Sequence, residues 1–466
     1  MQRKWPEWLA WLLVLCAPVL MFSYLAWHGA DRQVAIFTAI AVTALLMWAF
    51  SLFADFIPAL MAMLALLLFG LAPEEVVLSG FSSSGFLLAF SILGLGVAVV
   101  ESGLTRRYTL LLLAHLPANT FAHQVAVFMT GLLFTPTVPT ITGRAAIVGP
   151  IINHIAEGWD EKTRLTSSTM LYTTGLDSIH FLAPWFLTAA PANLMIFALL
   201  PPQEQQAFHF VFWAYAASLT SIVLLVSYFL VSAVFFRRAY AKVDIPKALI
   251  RQELDKLGPM TVTERTALFG VLLLAVGIVS APLHRIEIHY VAFAVLCMLL
   301  YLGVLSRSDF IGKIDWAFLS LLASLIGSLA TMNHLQIDDD IMSHLSWLGT
   351  YMRQDFPLFV LALSAVLLIV RLLVPLNQAI VIFAAALIPI ASNAGIAPWV
   401  VGFIILIIAE TTFFPYQSPY IFLFNRITDK VQHRERDVQI FHGVLIVFKL
   451  AAIYISIPFW QRIGVL

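Results

Sequence analysis

The sequence predicts an all-α polytopic membrane protein: two inverted repeats, each with one re-entrant helical hairpin and one discontinuous helix, and about 11 transmembrane helices in all. Three observations carry this. Of the 466 residues, 61% are apolar and only 11% are charged, a balance foreign to soluble domains. Apolar stretches of roughly 20 residues, the length that crosses about 30 Å of hydrocarbon, recur along the chain and must be helical in lipid, where backbone groups find no water. Polar segments bearing proline or glycine interrupt those stretches twice in each half. The formal charge is zero, with 26 basic and 26 acidic residues, so nucleic acid is not an expected partner. Cys16 and Cys297 fall inside apolar spans and read as small fillers, not as a disulfide or a metal site.

The elements follow in order. Residues 1–32 supply an N-terminal span, expected to be retained because its apolar run continues to Trp27 without a small-x-small cleavage pattern. The first repeat covers 33–236, with scaffold spans to about 116 and a transport part over 118–236. Within it a hairpin dips in near Ala122 and turns at 136–142, and a broken span follows over 168–200. Residues 237–263 form a cytoplasmic linker. The second repeat covers 264–466, with scaffold to about 355 and a transport part over 357–466, its hairpin turning near Pro375 and its broken span at 398–425. Positive charge collects on the cytoplasmic side. With the N-terminus inside and the C-terminus outside, about 19 of the 26 basic residues fall inside and four outside; Arg144, Arg371 and Lys449 lie within membrane segments. The predicted location is the cytoplasmic (inner or plasma) membrane.

Duplication is supported by a near-constant offset. Residues 85–104 align on 316–335 at an offset of 231, the hairpin prolines Pro139 and Pro375 lie 236 apart, and the pairs Thr173-Thr174 and Thr411-Thr412 lie 238 apart.

Inverted repeats with interrupted helices place a binding site near mid-membrane. The interruptions are TPTVPTITGR at 135–144, YTTGLDSIHFLAP at 172–184, VPLNQA at 374–379 and ETTFFPYQSP at 410–419. Arg144 is the sharpest residue: a charge at that depth costs ~3 kcal/mol or more unless paired or wet, and its planar donor fork matches a carboxylate or sulfate. The competing reading gives Arg144 a pairing role with Asp177. Asp177 and Glu410, beside the two breaks, have the chemistry to ligate a cation, carry a proton or balance an arginine. Thr140, Thr142, Asn377, Gln378, Thr411, Thr412 and Gln417 suit a small polar pocket. Arg371 ranks lower as a substrate contact, and the histidines His115, His123, His154 and His180 lack metal-ligand spacing. No hydrolytic motif is present, so a transporter rather than an enzyme is expected.

LGPMTVTERTALF, YLGVLSRSDFIGKIDWAFL, PYQSPY and IPFWQRIGVL resemble segments of the divalent anion/sodium symporter family, within a wider ion-transporter superfamily, and the likeness runs over nearly the whole chain. That family carries a Ser-Asn-Thr triplet at each hairpin tip, holding substrate carboxylates and two sodium ions; the corresponding positions here are Thr140-Ile141-Thr142 and Leu376-Asn377-Gln378. The loss of two expected donors, at Ile141 and Leu376, shifts the expectation towards a smaller or differently shaped anion such as sulfate, a sulfonate or a monocarboxylate.

The resemblance implies Na⁺-coupled symport of a small anion, a dicarboxylate, sulfate or other organic anion, by an elevator mechanism, in a homodimer. The expected substrate contacts are Thr140, Thr142, Arg144, Asn377, Gln378 and Gln417. The expected ion contacts are Thr140, Ile141, Thr174, Gly175, Asp177, Asn377, Glu410, Thr411 and Thr412. No cofactor is expected beyond Na⁺ as coupling ion. The rival is a proton-coupled anion carrier, or a cation/proton or oxyanion antiporter of the same superfamily, with Asp177 or Glu410 as the exchanging carboxylate.

Overall fold

The computed structural model describes residues 6–466 except 116–119, 137, 139, 158–160, 238–246, 373, 413, 415–416 and 430. Among the described residues all regular structure is helical. The first half comprises α1 (Glu7–Trp27), α2 (Arg32–Ala49), α3 (Phe56–Leu68), α4 (Ser84–Glu101), α5 (Leu104–His115), α6 (Thr120–Phe134), α7 (Ile141–Glu157), α8 (Glu161–Ser178), α9 (Pro191–Leu199) and α10 (Phe210–Phe235). After α11 (Lys247–Leu257), the second comprises α12 (Val262–Val279), α13 (Ile288–Tyr301), α14 (Arg307–Lys313), α15 (Trp316–His334), α16 (Ile337–Gln354), α17 (Phe356–Arg371), α18 (Leu376–Asn393), α19 (Pro398–Ala409), α20 (Pro419–Ile427) and α21 (Glu435–Arg462).

The order repeats. A span (α4, α15) leads to an amphipathic arm (α5, α16), a hairpin (α6–α7, α17–α18), a broken helix (α8–α9, α19–α20) and a closing span (α10, α21). Eight described helices are long and apolar enough to cross a membrane, and nine when the pair bent by 119° at Gln354 counts as one. Shorter apolar helices include α3, α13, α19 and most of α6.

Contacts at one end of the fold show that equivalent spans run in opposite directions. Glu101, the last residue of α4, pairs with Lys313, the last residue of α14, just before α15. The segment leading into α4 lies further along α15: a Cβ on Gly80 would fall 1.9 Å from the Ala323 carbonyl oxygen, and one on Gly327 would fall 1.9 Å from that of Val77. Backbone this close leaves room for glycine alone. The hairpins open towards opposite ends. Asn153 of α7 donates to the Ile427 carbonyl at 2.7 Å, beside the start of α21. Tyr454, near the end of α21, donates to the Pro357 carbonyl at the head of α17, at 2.6 Å.

Local chemistry sets the helix ends. Thr261 and Glu264 form a reciprocal capping box at α12. Asp315 and Asp355 accept from Phe318 and Leu358 N–H groups to start α15 and α17. Proline opens α9, α19 and α20, where its missing N–H costs nothing. The Arg107 guanidinium of α5 grips both Glu264 carboxylate oxygens, at 2.9 and 3.0 Å, and the Gly258 carbonyl at 2.7 Å, fastening the first arm to the head of the second half.

Two sequence expectations need comment. Pro139 and Pro415, assigned to a hairpin tip and a helix break, lie outside the described residues. The threonine pairs are not structurally equivalent: Thr173-Thr174 sit inside α8, which continues to Ser178, whereas Thr411-Thr412 lie beyond the end of α19 at Ala409. The matched sequence therefore breaks at different points in the two halves.

Candidate functional site

Each hairpin tip is the N-terminus of the hairpin's second limb. Each broken helix presents carbonyls at the end of its first half, at Ser178 and Ala409. One arginine per half collects such carbonyls. Arg144, fully buried, donates from Nε and Nη2 to the Ile179 carbonyl at 2.9 and 2.6 Å. Its Nη1 reaches Ala189 at 2.6 Å, Val138 at 2.8 Å and Thr135 at 3.4 Å. It thereby fastens the first hairpin tip to the first helix break. Arg371, 1% exposed, donates to the carbonyls of Ala409 at 2.9 Å, Val374 at 2.8 Å and Gln417 at 3.3 Å, tying the second tip to the second break. Val138 and Val374 are 236 residues apart and Ile179 and Gln417 are 238 apart, so the two guanidiniums perform one task on matched carbonyls. Bonds to a charged donor are about twice as strong as neutral ones, which is how two charges persist in the buried interior.

The breaks meet at a buried polar cluster. Asp177, 1% exposed, accepts from or donates to His442 Nε2 across 2.9 Å, while His442 Nδ1 faces the Thr412 carbonyl at 3.1 Å. A neutral imidazole has one N–H and one lone pair. With a carbonyl on one side and a carboxylate on the other, this arrangement is satisfied when a proton lies between Asp177 and His442. Lys449 donates to the Ile407 carbonyl at 2.9 Å and the Thr411 hydroxyl at 3.1 Å and stands 5.4 Å from the Phe181 ring centre. Glu410, 4% exposed, joins Asp177, His180, Thr411, Thr412 and Lys449 around a small cavity. A second cavity shares Thr412 and His442 and continues past Tyr172 to Asn425 and Glu435.

The other expected site residues are placed as follows. Thr140, half-buried, accepts from the Gly143 N–H at 3.2 Å; Ile141 is buried beside it and Thr142 is exposed. The Thr174 hydroxyl donates to Met170 of its own helix at 2.8 Å and accepts from Gln124 of α6 at 3.2 Å. Gly175 permits close packing, since a Cβ there would lie 2.0 Å from Ile152 Cδ1 and 3.0 Å from Phe424 Cζ. Asn377 and Gln378 both donate to the Asp55 carboxylate between α2 and α3, the former at 3.3 Å. Gln417 accepts from the Phe414 N–H and donates to the Arg371 carbonyl, each at 2.8 Å. Arg144 and Gln417, expected as anion contacts, thus spend these hydrogen bonds on backbone. Asp177 faces His442, and the pairing of Arg144 with Asp177 weighed from sequence is not among its hydrogen bonds.

Sequence reasoning gave no role to His442, Lys449, Gln124 or Asp55. A signal existed for two of them: His442 and Lys449 are seven residues, about two turns, apart in an otherwise apolar span, one face of a helix at a depth where polar groups are costly.

Residues 5–459 match the family described as the sodium:sulfate symporter transmembrane region. Inner membrane protein YbhI of Escherichia coli K12 is 28% identical over 265 residues, 55% of this chain and 55% of that protein. The L-tartrate/succinate antiporter of the same strain is 25% identical over 278 residues, 58% of this chain and 55% of that protein. The chain thus spans about half the length of the curated relatives it matches. Among solved structures, the YdaH transporter of Alcanivorax borkumensis, described as having an unusual topology, is similar with a TM-score of 0.54 at 16% identity, covering 93% of this chain and 99% of that one. That likeness concerns the fold.

Proposed function

The chain belongs to the sodium:sulfate symporter transmembrane family, a family of transporters rather than enzymes, and from that premise we propose that it is a secondary active carrier of a small anion driven by Na⁺. The observation that carries the proposal is the continuous buried polar network: tip to break through Arg144, break to break through Asp177, His442 and Thr412, and break to tip through Arg371. The α7 and α18 N-termini at the tips offer positive dipole ends to an anion of sulfate or dicarboxylate size. Carbonyl-bearing half-helix ends suit a cation.

The carrier works as an elevator: both hairpins, both broken helices and the closing spans move against a scaffold of α1–α5 and α12–α16. The contact of Asn377 and Gln378 with Asp55 is then a scaffold-to-carrier contact that each cycle breaks. The chain lies in the cytoplasmic membrane with the N-terminus inside and the C-terminus outside, and assembles as a homodimer through the scaffold.

The second reading is proton-coupled transport or exchange. Two observations favour it: the proton-requiring geometry of Asp177 and His442, and the likeness to an antiporter. Uptake of labelled sulfate, succinate and a short sulfonate into proteoliposomes, with Na⁺, K⁺ or pH gradients imposed in turn, separates the readings. Na⁺-dependent accumulation of at least one anion is expected. Equal uptake under all three gradients overturns Na⁺ symport, and accumulation driven by the pH gradient alone supports the second reading.

A further inference from the structure

The two helix breaks are not equally open to a cation. At the second, the oxygens that attract positive charge already hold it. Lys449 Nζ sits 2.9 Å from the Ile407 carbonyl, one of the last four of α19, and 3.1 Å from the Thr411 hydroxyl, with the side chain 3% exposed. Helix C-termini carry partial negative charge, and the Glu410 carboxyl adjoins this one. Arg371 adds a second cation on the Ala409 carbonyl at 2.9 Å. An arriving Na⁺ would meet two fixed positive charges on the oxygens it needs.

The first break differs. Thr173, which the 238-residue offset aligns with Thr411 in sequence but which lies inside α8 and not beyond its end, turns its hydroxyl onto the Thr169 carbonyl of its own helix at 2.7 Å. The Thr174 hydroxyl meets the neutral amide of Gln124. Asp177 Oδ2 is buried without a hydrogen-bond partner. Arg144 takes the carbonyls of Ile179 and Ala189 on the first half, as Arg371 takes carbonyls on the second. Asp177 Oδ2, however, stays open in the cavity it shares with Lys449, where the second half's Ile407 carbonyl and Thr411 hydroxyl are filled.

We propose that Lys449 is a tethered cation that permanently occupies the cation position of the second helix break, so that a diffusible coupling cation binds on the first half alone. Its ammonium rides on α21 and stays in the protein through the cycle, which lowers the number of Na⁺ ions carried. The occupancy stands on geometry; only its consequence for coupling rests on the Na⁺-carrier reading.

The test uses the full chain purified in detergent. Thermal unfolding is followed against NaCl, with LiCl, KCl and choline chloride at matched ionic strength, for the wild type, Lys449→Gln and Lys449→Arg. A cation that binds the folded state raises Tm with its concentration. The expected result is a gain of Na⁺-dependent stabilisation in Lys449→Gln over the wild type, with Lys449→Arg like the wild type. Superimposable Na⁺ titrations of wild type and Lys449→Gln overturn the proposal. Should Lys449→Gln fail to fold, the wild type decides: a Hill slope for Na⁺ of about one or less supports the tethered cation, and a slope near two overturns it. Counterflow of labelled succinate and sulfate through the wild type is measured separately. Its absence would remove the carrier reading and leave the Na⁺ titration to judge Lys449.

Discussion

The two halves solve one problem with residues from different places. In the first, the collecting arginine stands after the hairpin tip, on α7; in the second, it stands before the tip, at the end of α17. Both reach the tip carbonyl, at Val138 or Val374, and carbonyls of their own broken helix. The breaks themselves diverge. The first offers Asp177 against His442, with Arg144 on the carbonyls beyond α8; the second offers Glu410 beside Lys449 and Arg371, with Lys449 lining the same small cavity as Asp177. Duplication has kept the geometric demand, buried carbonyls that need donors, while the side chains that meet it moved along the sequence.

The largest expected effect tests that shared demand. Arg144→Leu strands the carbonyls it gathers, each at a cost of about 1–3 kcal/mol, seen as a collapse of Tm and of monodisperse protein in detergent. Arg371→Leu should act in the same direction. Arg144→Lys should not rescue, because a point ammonium cannot span the fork. An Arg144→Leu protein of undiminished Tm that has merely lost anion binding would break the comparison and return Arg144 to the substrate.

Next comes the junction between the halves. Asp177→Asn removes the buried carboxyl that shares a hydrogen bond with His442, an expected loss of about 1–3 kcal/mol in thermal unfolding. If the second reading holds, it also flattens the pH dependence of succinate exchange. An unchanged pH profile would assign the pair to holding the breaks together and nothing more.

The antiparallel seam of the scaffold follows. Gly80→Ala and Gly327→Ala each drive a Cβ to 1.9 Å from a carbonyl oxygen, so overpacking of about 1–3 kcal/mol is expected for both. A neutral result for either would show that the segment leading into α4 can shift away from α15 at that point.

Lys313→Ala should have the smallest effect. This half-exposed ammonium bonds Asp309 at 2.8 Å and also meets Glu101. Those carboxylates, Asp309 first, raise its pKa above the usual lysine value. The contribution is therefore full below the unfolded-state pKa and fades as pH rises through the raised folded-state value. Exposed pairs are worth about 0–1 kcal/mol and are screened by salt. The Tm difference from wild type should be small at neutral pH in low salt and vanish in strong alkali, with transport unaltered.

Much of this architecture was legible in the sequence because lipid leaves few options. Both hairpins, both broken helices and the two amphipathic arms fall where the apolar runs are interrupted, with Pro139 and Pro415 themselves outside the described residues. The site was less legible. Arg144 and Asp177 stood out as costly charges at depth, yet their partners are a set of carbonyls and a histidine 265 residues away. Nothing local marks a carbonyl as a partner, because every residue has one. Asp55 was invisible for the same reason: its partners, Asn377 and Gln378, come from the other half of the chain.

By itself the sequence determined that this chain crosses a membrane many times as helices, in two matched halves with interruptions at corresponding places. Hydrocarbon forces internal hydrogen bonding, and period and length are local properties. Only the tertiary structure decided which buried charge answers which buried oxygen. That pairing depends on where the helix breaks end and on which helices approach them, and Arg144, His442 and Lys449 acquire their partners only when segments distant in the chain pack together.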